Sequence, residues 1–355
     1  VFVATEPGCF FASAVVLTAP WETSAALKKG DGMKVFLTGA TGFLGKAVSS
    51  RLLADGHDVV ALMRGQSTDL PAGVVQVVGD LGGLAADTPD HERLDPALPQ
   101  LGGVDAVVHC AARAHVMKDT AADPLAEYRR VNVDGTLALA RAAAQAGVRR
   151  FVFVSSIKVN GERTPPGRAF RADDAPAPAD AYGVSKWEAE QGLFALSRET
   201  GMEVVVIRPP LVYGPGAKGN FAALVRWVAR GVPLPLGAVR HNRRSLVGLD
   251  NLVDLIVTCL DHPGAANEVF LAADGEDLST ADLLRRVGRA MGHPARLLPV
   301  PVWVLQAAAA SLGKRAVAER LLGSLQVDGS KAGELLGWEP PCMVDEGLRR
   351  AVKRA

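Results

Sequence analysis

From Met33 onward the chain alternates between two textures. Short apolar and β-branched runs ("KVFLTG", "HDVVALM", "VVQVVGD", "DAVVHCA", "RFVFVSS", "EVVVIRP", "NEVFLAA") are separated by Ala- and Leu-rich stretches such as "GKAVSSRLLADG" and "NVDGTLALARAAAQAG". The runs are apolar almost throughout, the pattern of strands covered on both faces. Such alternation predicts an α/β fold, a doubly wound parallel sheet of the Rossmann type. After Arg208 the alternation weakens, and Pro and Gly punctuate "RPPLVYGPGAKGN" and "GVPLPLGAVRHNRRS". The expected division is a sheet domain over residues 33–207, rejoined by a return strand at about 267–272, and a smaller, mostly helical lobe over 208–355. Within that lobe "VWVLQAAAASL" (302–312) is too short to span a membrane and predicts a buried helix. Residues 1–32 read as a disordered extension outside the fold. Glu6, Pro7 and Gly8 precede its apolar part, and no basic segment opens it as in a secretory leader.

Composition narrows the classes. Among 355 residues, 48% are hydrophobic and 22% charged, as in a soluble globular protein, and the formal net charge is +1. A nearly neutral chain has no bulk attraction to nucleic acid, and nothing in it predicts membrane insertion. The four cysteines (Cys9, Cys110, Cys259, Cys342) are scattered without metal-ligand spacing. A reducing, cytoplasmic setting and no bound metal are expected.

The first strand ends in "TGATGFLG", which places Gly39, Gly42 and Gly45 between a strand and a helix. Glycines let the backbone turn tightly and approach a pyrophosphate, whose charge a helix N-terminus favours. Thr41, Phe43 and Leu44 in the same turn are candidate contacts. The second strand ends in Met63 and Arg64. An acid near Met63 would hold the ribose hydroxyls of NAD, whereas an Arg such as Arg64 suits the 2′-phosphate of NADP. NADP is therefore favoured over NAD. Asp80, after the third strand, is a candidate to bond the adenine; Leu81 beside it, and Ala111 and Ala112 after the fourth strand, are further candidate cofactor contacts. His109 reads as a packed strand residue.

"FVFVSS" ends a strand with Ser155 and Ser156, and "DAYGVSKWEAEQ" opens a helix with Tyr182 and Lys186 one turn apart. A phenol titrates near pH ~10, too high for an efficient base. The expectation is that the Lys186 ammonium lowers it while Ser156 orients the substrate oxygen.

These motifs together resemble the extended short-chain dehydrogenase/reductases, in the branch of nucleotide-sugar epimerases, dehydratases and reductases. The resemblance runs from about Met33 to Trp338, through "TGATGFLG", "HCAA", "NVDGT", "SSIKVNGE", "YGVSK", "RPPLVYGPG" and "LLGWEPP". It implies a catalytic set of Ser156, Tyr182 and Lys186, with Ser156 chosen over Ser155 by its distance from Gly161. Asn160 stands where relatives often carry Tyr. Asn132 matches a residue that supports the catalytic Lys, and a helix cap is its alternative reading. The later lobe is implied to hold a UDP-linked sugar through Asn220, Arg244 and Arg320, with Arg113 lining the sugar site. A homodimer through helices at about 124–146 and 181–200 is implied as well.

Within this branch "SSIKVNGERT" and "GNFAALVRWVARGVPLPLG" resemble bacterial reductases of UDP-4-keto-6-deoxy-N-acetylhexosamines, which make surface-polysaccharide precursors. Such a reductase is the expected activity. The alternatives are a UDP-sugar 4-epimerase retaining NAD and, more remotely, a dinucleotide-binding module without turnover.

Overall fold

The computed structural model describes residues 32–81, 98–114, 123–165 and 167–353; the extension expected before the fold lies, except for Gly32, outside these residues. The seven apolar runs form seven strands. They are β1 (Lys34–Thr38), β2 (Asp58–Met63), β3 (Val75–Val78), β4 (Ala106–His109), β5 (Arg150–Val154), β6 (Glu203–Arg208) and, after two short strands of the second lobe, β9 (Val269–Leu271). All are parallel, in the order β3-β2-β1-β4-β5-β6-β9. The order reverses between β1 and β4, and the crevice of such a sheet opens at that switch, beyond the strands' C-terminal ends.

Period-two alternation within each strand divides its side chains between two cores. Val35, Leu37, Ala61, Val108, Val152 and Val205 pack on one face, with the Phe43–Ala54 and Leu249–Thr258 helices. Phe36, Val60, Val107, Phe151, Phe153 and Val206 pack on the other, with the Gly135–Gln145 and Ala181–Thr200 helices. Burial on both sides explains why the strands read as unbroken apolar runs. β3 is one of the two edge strands, and its Val75 and Val78 stay exposed.

The second lobe has its own core around Tyr213, Phe221, Leu224, Leu284 and Leu348. A two-stranded parallel sheet of β7 (Leu211–Tyr213) and β8 (Leu246–Gly248) lies within it. The helix expected at 302–312 forms as Val302–Ser311, but no residue in it is buried. With Arg315–Leu322, also without a buried residue, it makes a hairpin that rests on the lobe's core through the partly buried Val302, Leu305, Leu321 and Leu322 and leaves its outer side exposed. Among the described residues no helix is long and apolar enough to cross a membrane.

Candidate active site

Six sequence-predicted positions come together because each follows the C-terminal end of a strand: Gly39 after β1, Arg64 after β2, Asp80 after β3, Ala111 after β4, and Ser155 and Ser156 after β5. Gly39 has φ of +74°, and a Cβ there would lie 2.7 Å from the backbone nitrogen of Ala111. A Cβ on Gly45 would lie 2.1 Å from the carbonyl oxygen of Gly39. The loop and the first helical turn therefore interlock, held by Gly42 N–H donating to Gly39 O at 2.9 Å. No side chain caps this helix, and Thr41 and Gly42 are exposed at its start. An open helix N-terminus with a close-packed glycine cradle suits a pyrophosphate. The residues present thus fit a dinucleotide.

At the end of β2, Met63 is buried in the core, so its side chain does not line the position expected for a ribose acid. Arg64 is the first exposed residue there. Asp80 is exposed, while Leu81 is buried and its carbonyl would meet a Cβ on Gly135 at 2.7 Å.

His109 is fully buried, as the strand pattern implied. Its ring nitrogens lie 2.7 Å from Thr38 Oγ1 and 2.9 Å from Thr136 Oγ1, and the ring stacks on Phe153. Burial, helped by the charge of Lys186, pulls it down to about 3, so it is neutral and structural at physiological pH.

The Ala181–Thr200 helix starts where Asp180 caps it, accepting from Gly183 N–H at 2.7 Å, and it places Tyr182 and Lys186 one turn apart. Tyr182 is half-buried, edge-on to Tyr128 at 6.1 Å between ring centroids. Tyr128 in turn carries the Arg113 guanidinium 5.5 Å from its centroid. Lys186 is buried, donates to Val154 O at 2.9 Å and sits 4.3 Å from the centre of the Phe153 ring. Burial pulls its pKa down to about 8.

The expected tuning of the phenol by Lys186 is corrected here. Burial first, then the negative charge of Asp180 and the influence of Tyr128, push Tyr182 upward, and the ammonium does not figure among the causes. One turn of spacing put the two groups on one helix, but the ammonium turns to the β5 carbonyl. A phenol pushed up in this way is held neutral and is a weaker acid than a free one.

Ser156 is half-buried, with Oγ accepting from Lys158 N–H at 3.3 Å. Ser155 is buried and donates to Glu190. Ser156 is thus the more accessible of the two hydroxyls. Asn132 caps no helix, so that alternative fails. It lies in the π-turn Arg130–Asp134, an irregularity common at functional sites. Its Oδ1 accepts from Arg113 N–H at 2.8 Å; its Nδ2 donates to Arg113 O at 3.1 Å and to Ser185 Oγ at 3.0 Å.

Beneath these groups lies a network that motif reading missed. Glu190, 0% exposed, accepts from Arg208, 2% exposed, through Nε at 3.0 Å and Nη2 at 2.5 Å. Arg208 Nη1 donates to Asn160 Oδ1 at 3.0 Å, and Asn160 donates to Arg171 O at 2.9 Å. The available signal was Glu190 one turn beyond Lys186, and an Arg ending a strand that is apolar from Val204 to Ile207.

The substrate-lobe candidates are less gathered. Asn220 is exposed at the start of the Gly219–Ala229 helix, whose N-terminus no side chain caps. Arg244 is half-buried, donates to Gly323 O at 3.2 Å and lies within the field of Glu162, in the loop beyond Ser156. Arg320 is exposed on the outer hairpin.

The model of the NAD dependent epimerase/dehydratase family matches residues 35–273. The chain belongs to that family.

A curated relative, a UDP-glucose 4-epimerase of Vibrio cholerae, is 48% identical over 320 residues, 90% of this chain and 94% of its own. An Escherichia coli O157:H7 relative, an N-acetyl-α-D-glucosaminyl-diphospho-ditrans,octacis-undecaprenol 4-epimerase, is 30% identical over 76% of this chain and 77% of its own. In fold, the chain is similar to the structure of a UDP-glucose 4-epimerase from Thermotoga maritima, with a TM-score of 0.72 and 22% identity, covering 91% of this chain and 98% of that one. The family is one of NAD enzymes, and the expected preference for NADP is not supported. The epimerase alternative is better supported than the reductase first expected.

Proposed function

We propose that this protein is a UDP-sugar 4-epimerase working with retained NAD. The observation that carries the reading is the 48% identity, over nine-tenths of the chain, to a UDP-glucose 4-epimerase. Both curated relatives reported above are named for epimerisation at C4 of a sugar on a diphosphate. The nearer one has a nucleotide carrier, which favours UDP over a polyprenol.

In this reading the Gly39–Gly45 turn holds the dinucleotide pyrophosphate, with Thr41, Phe43 and Leu44. Arg64, Asp80, Leu81, Ala111 and Ala112 border the rest of the dinucleotide. Bound NAD would supply the two-electron acceptor and donor for the sugar's C4. Tyr182 holds the proton at O4, taking it as the carbonyl forms and returning it after the sugar has presented its other face. Its raised pKa makes the phenolate a stronger base and the phenol a weaker acid, so it favours taking the proton over returning it. Ser156 donates to O4. Lys186 brings a cation to the same floor. Arg244 and the open helix end at Asn220 take the sugar diphosphate, Arg113 borders the sugar, and Arg320 is a second candidate clamp.

The test is to incubate the purified protein with UDP-glucose and no added cofactor. UDP-galactose should form, acid extraction should release NAD, and Tyr182→Phe should retain the dinucleotide while losing about 10²–10⁴ in rate. Stoichiometric consumption of NADPH or NADH with a 4-keto sugar, and no interconversion, would instead establish the reductase.

A further inference from the structure

The helices Val302–Ser311 and Arg315–Leu322 contain no buried residue, although the first is apolar at eight of its ten positions. Val302 and Leu305 rest, partly buried, on the lobe's core, and the apolar side left over is of the kind that belongs in a core or against lipid. Here Trp303 is 71% exposed, Leu312 69%, Val317 51% and the preceding Leu298 50%. Four of the ten large apolar side chains exposed among the described residues thus fall between 298 and 317, so the exposure is concentrated. The charges in the same stretch are one-sided. Arg296, Lys314, Arg315 and Arg320 stand against Glu319 alone, and none of them joins an ion pair among the described residues. The chain's overall charge of +1 conceals this local excess.

We propose that residues 296–322 seat peripherally in the interface of an anionic lipid bilayer, without spanning it. The chemistry of the surface selects that occupant. An indole settles at headgroup level, apolar side chains enter the acyl boundary, and Lys and Arg meet lipid phosphates. A second copy of this chain fits worse, because a two-fold contact would set these cations against one another. Apart from Arg320, a second candidate clamp in the proposed function, the contact shares no residue with the epimerase chemistry, and either can fail alone.

The test uses the full chain sedimented with phosphatidylcholine vesicles and with vesicles enriched in phosphatidylglycerol. It should sediment with the anionic vesicles, less so as salt is raised. Trp303→Ser with Leu312→Ser, and separately Lys314→Glu with Arg315→Glu, should each weaken binding about tenfold or more. Turnover of a soluble UDP-sugar by these variants should stay at the parent level, showing that they are folded. If the apolar pair fails to fold, the charge-reversal pair decides. Absence of binding at low salt, equal binding to neutral vesicles, or unchanged binding of the folded variants overturns the proposal. So does a concentration-dependent dimer that the same substitutions dissociate.

Discussion

Beneath Tyr182 the chain buries Ser155, Glu190, Arg208 and Asn160 and gives each a hydrogen-bonded partner; on the 302–322 hairpin it exposes Trp303 and Leu312 and leaves the charges unpaired among the described residues. The first region spends polar groups where water is excluded, which is tolerable only when every group is satisfied. The second leaves apolar surface in water, which costs hydrophobic free energy without endangering the fold. The difference teaches where the molecule is specified by itself and where its surface is shaped for something else.

The contrast is sharpest in stability. Glu190→Ala strands the Arg208 guanidinium in the interior and should lower the unfolding free energy by about 3–5 kcal/mol, read by denaturant unfolding. Pairing Glu190→Leu with Arg208→Met should recover most of that loss, because it removes both charges.

The buried imidazole offers the next test. His109 stays neutral in the fold down to about pH 3, whereas the unfolded chain protonates it near 6.5. As pH falls below 6.5 the unfolded state binds the extra proton, so stability drops by up to about 1.4 kcal/mol per pH unit. Replacing His109 with Gln should flatten that part of the profile, measured as unfolding midpoints between pH 7 and 5.

A smaller effect is expected for Tyr128→Leu, which removes the edge contact to Tyr182 and the Arg113 platform, worth about 0.5–1.5 kcal/mol. Turnover should fall while retained NAD is unchanged. The smallest is Trp303→Ser, which should move stability in lipid-free buffer by no more than about 0.5 kcal/mol. A loss comparable to that of Glu190→Ala would erase the distinction between the two regions.

Much of the frame was legible because its determinants are local. The seven apolar runs are the seven strands of the sheet, and the glycine turn lies between strand and helix as its spacing implied. What stayed hidden depends on tertiary direction. Spacing places Tyr182 and Lys186 on one turn but cannot say that the ammonium bonds Val154 O. Glu190 and Arg208 are 18 residues apart and meet only once the helix packs on the sheet. Apolar composition at 302–312 foretold a helix, not whether anything would cover it.

The Asn132 side chain has one further consequence. From a single π-turn it clasps the backbone on both sides of Arg113 and the hydroxyl beside Lys186. The segment leaving β4 and the helix bearing the phenol cannot part without breaking that clasp. A displacement of the one is carried to the other, so the two segments share one amide as their hinge pin.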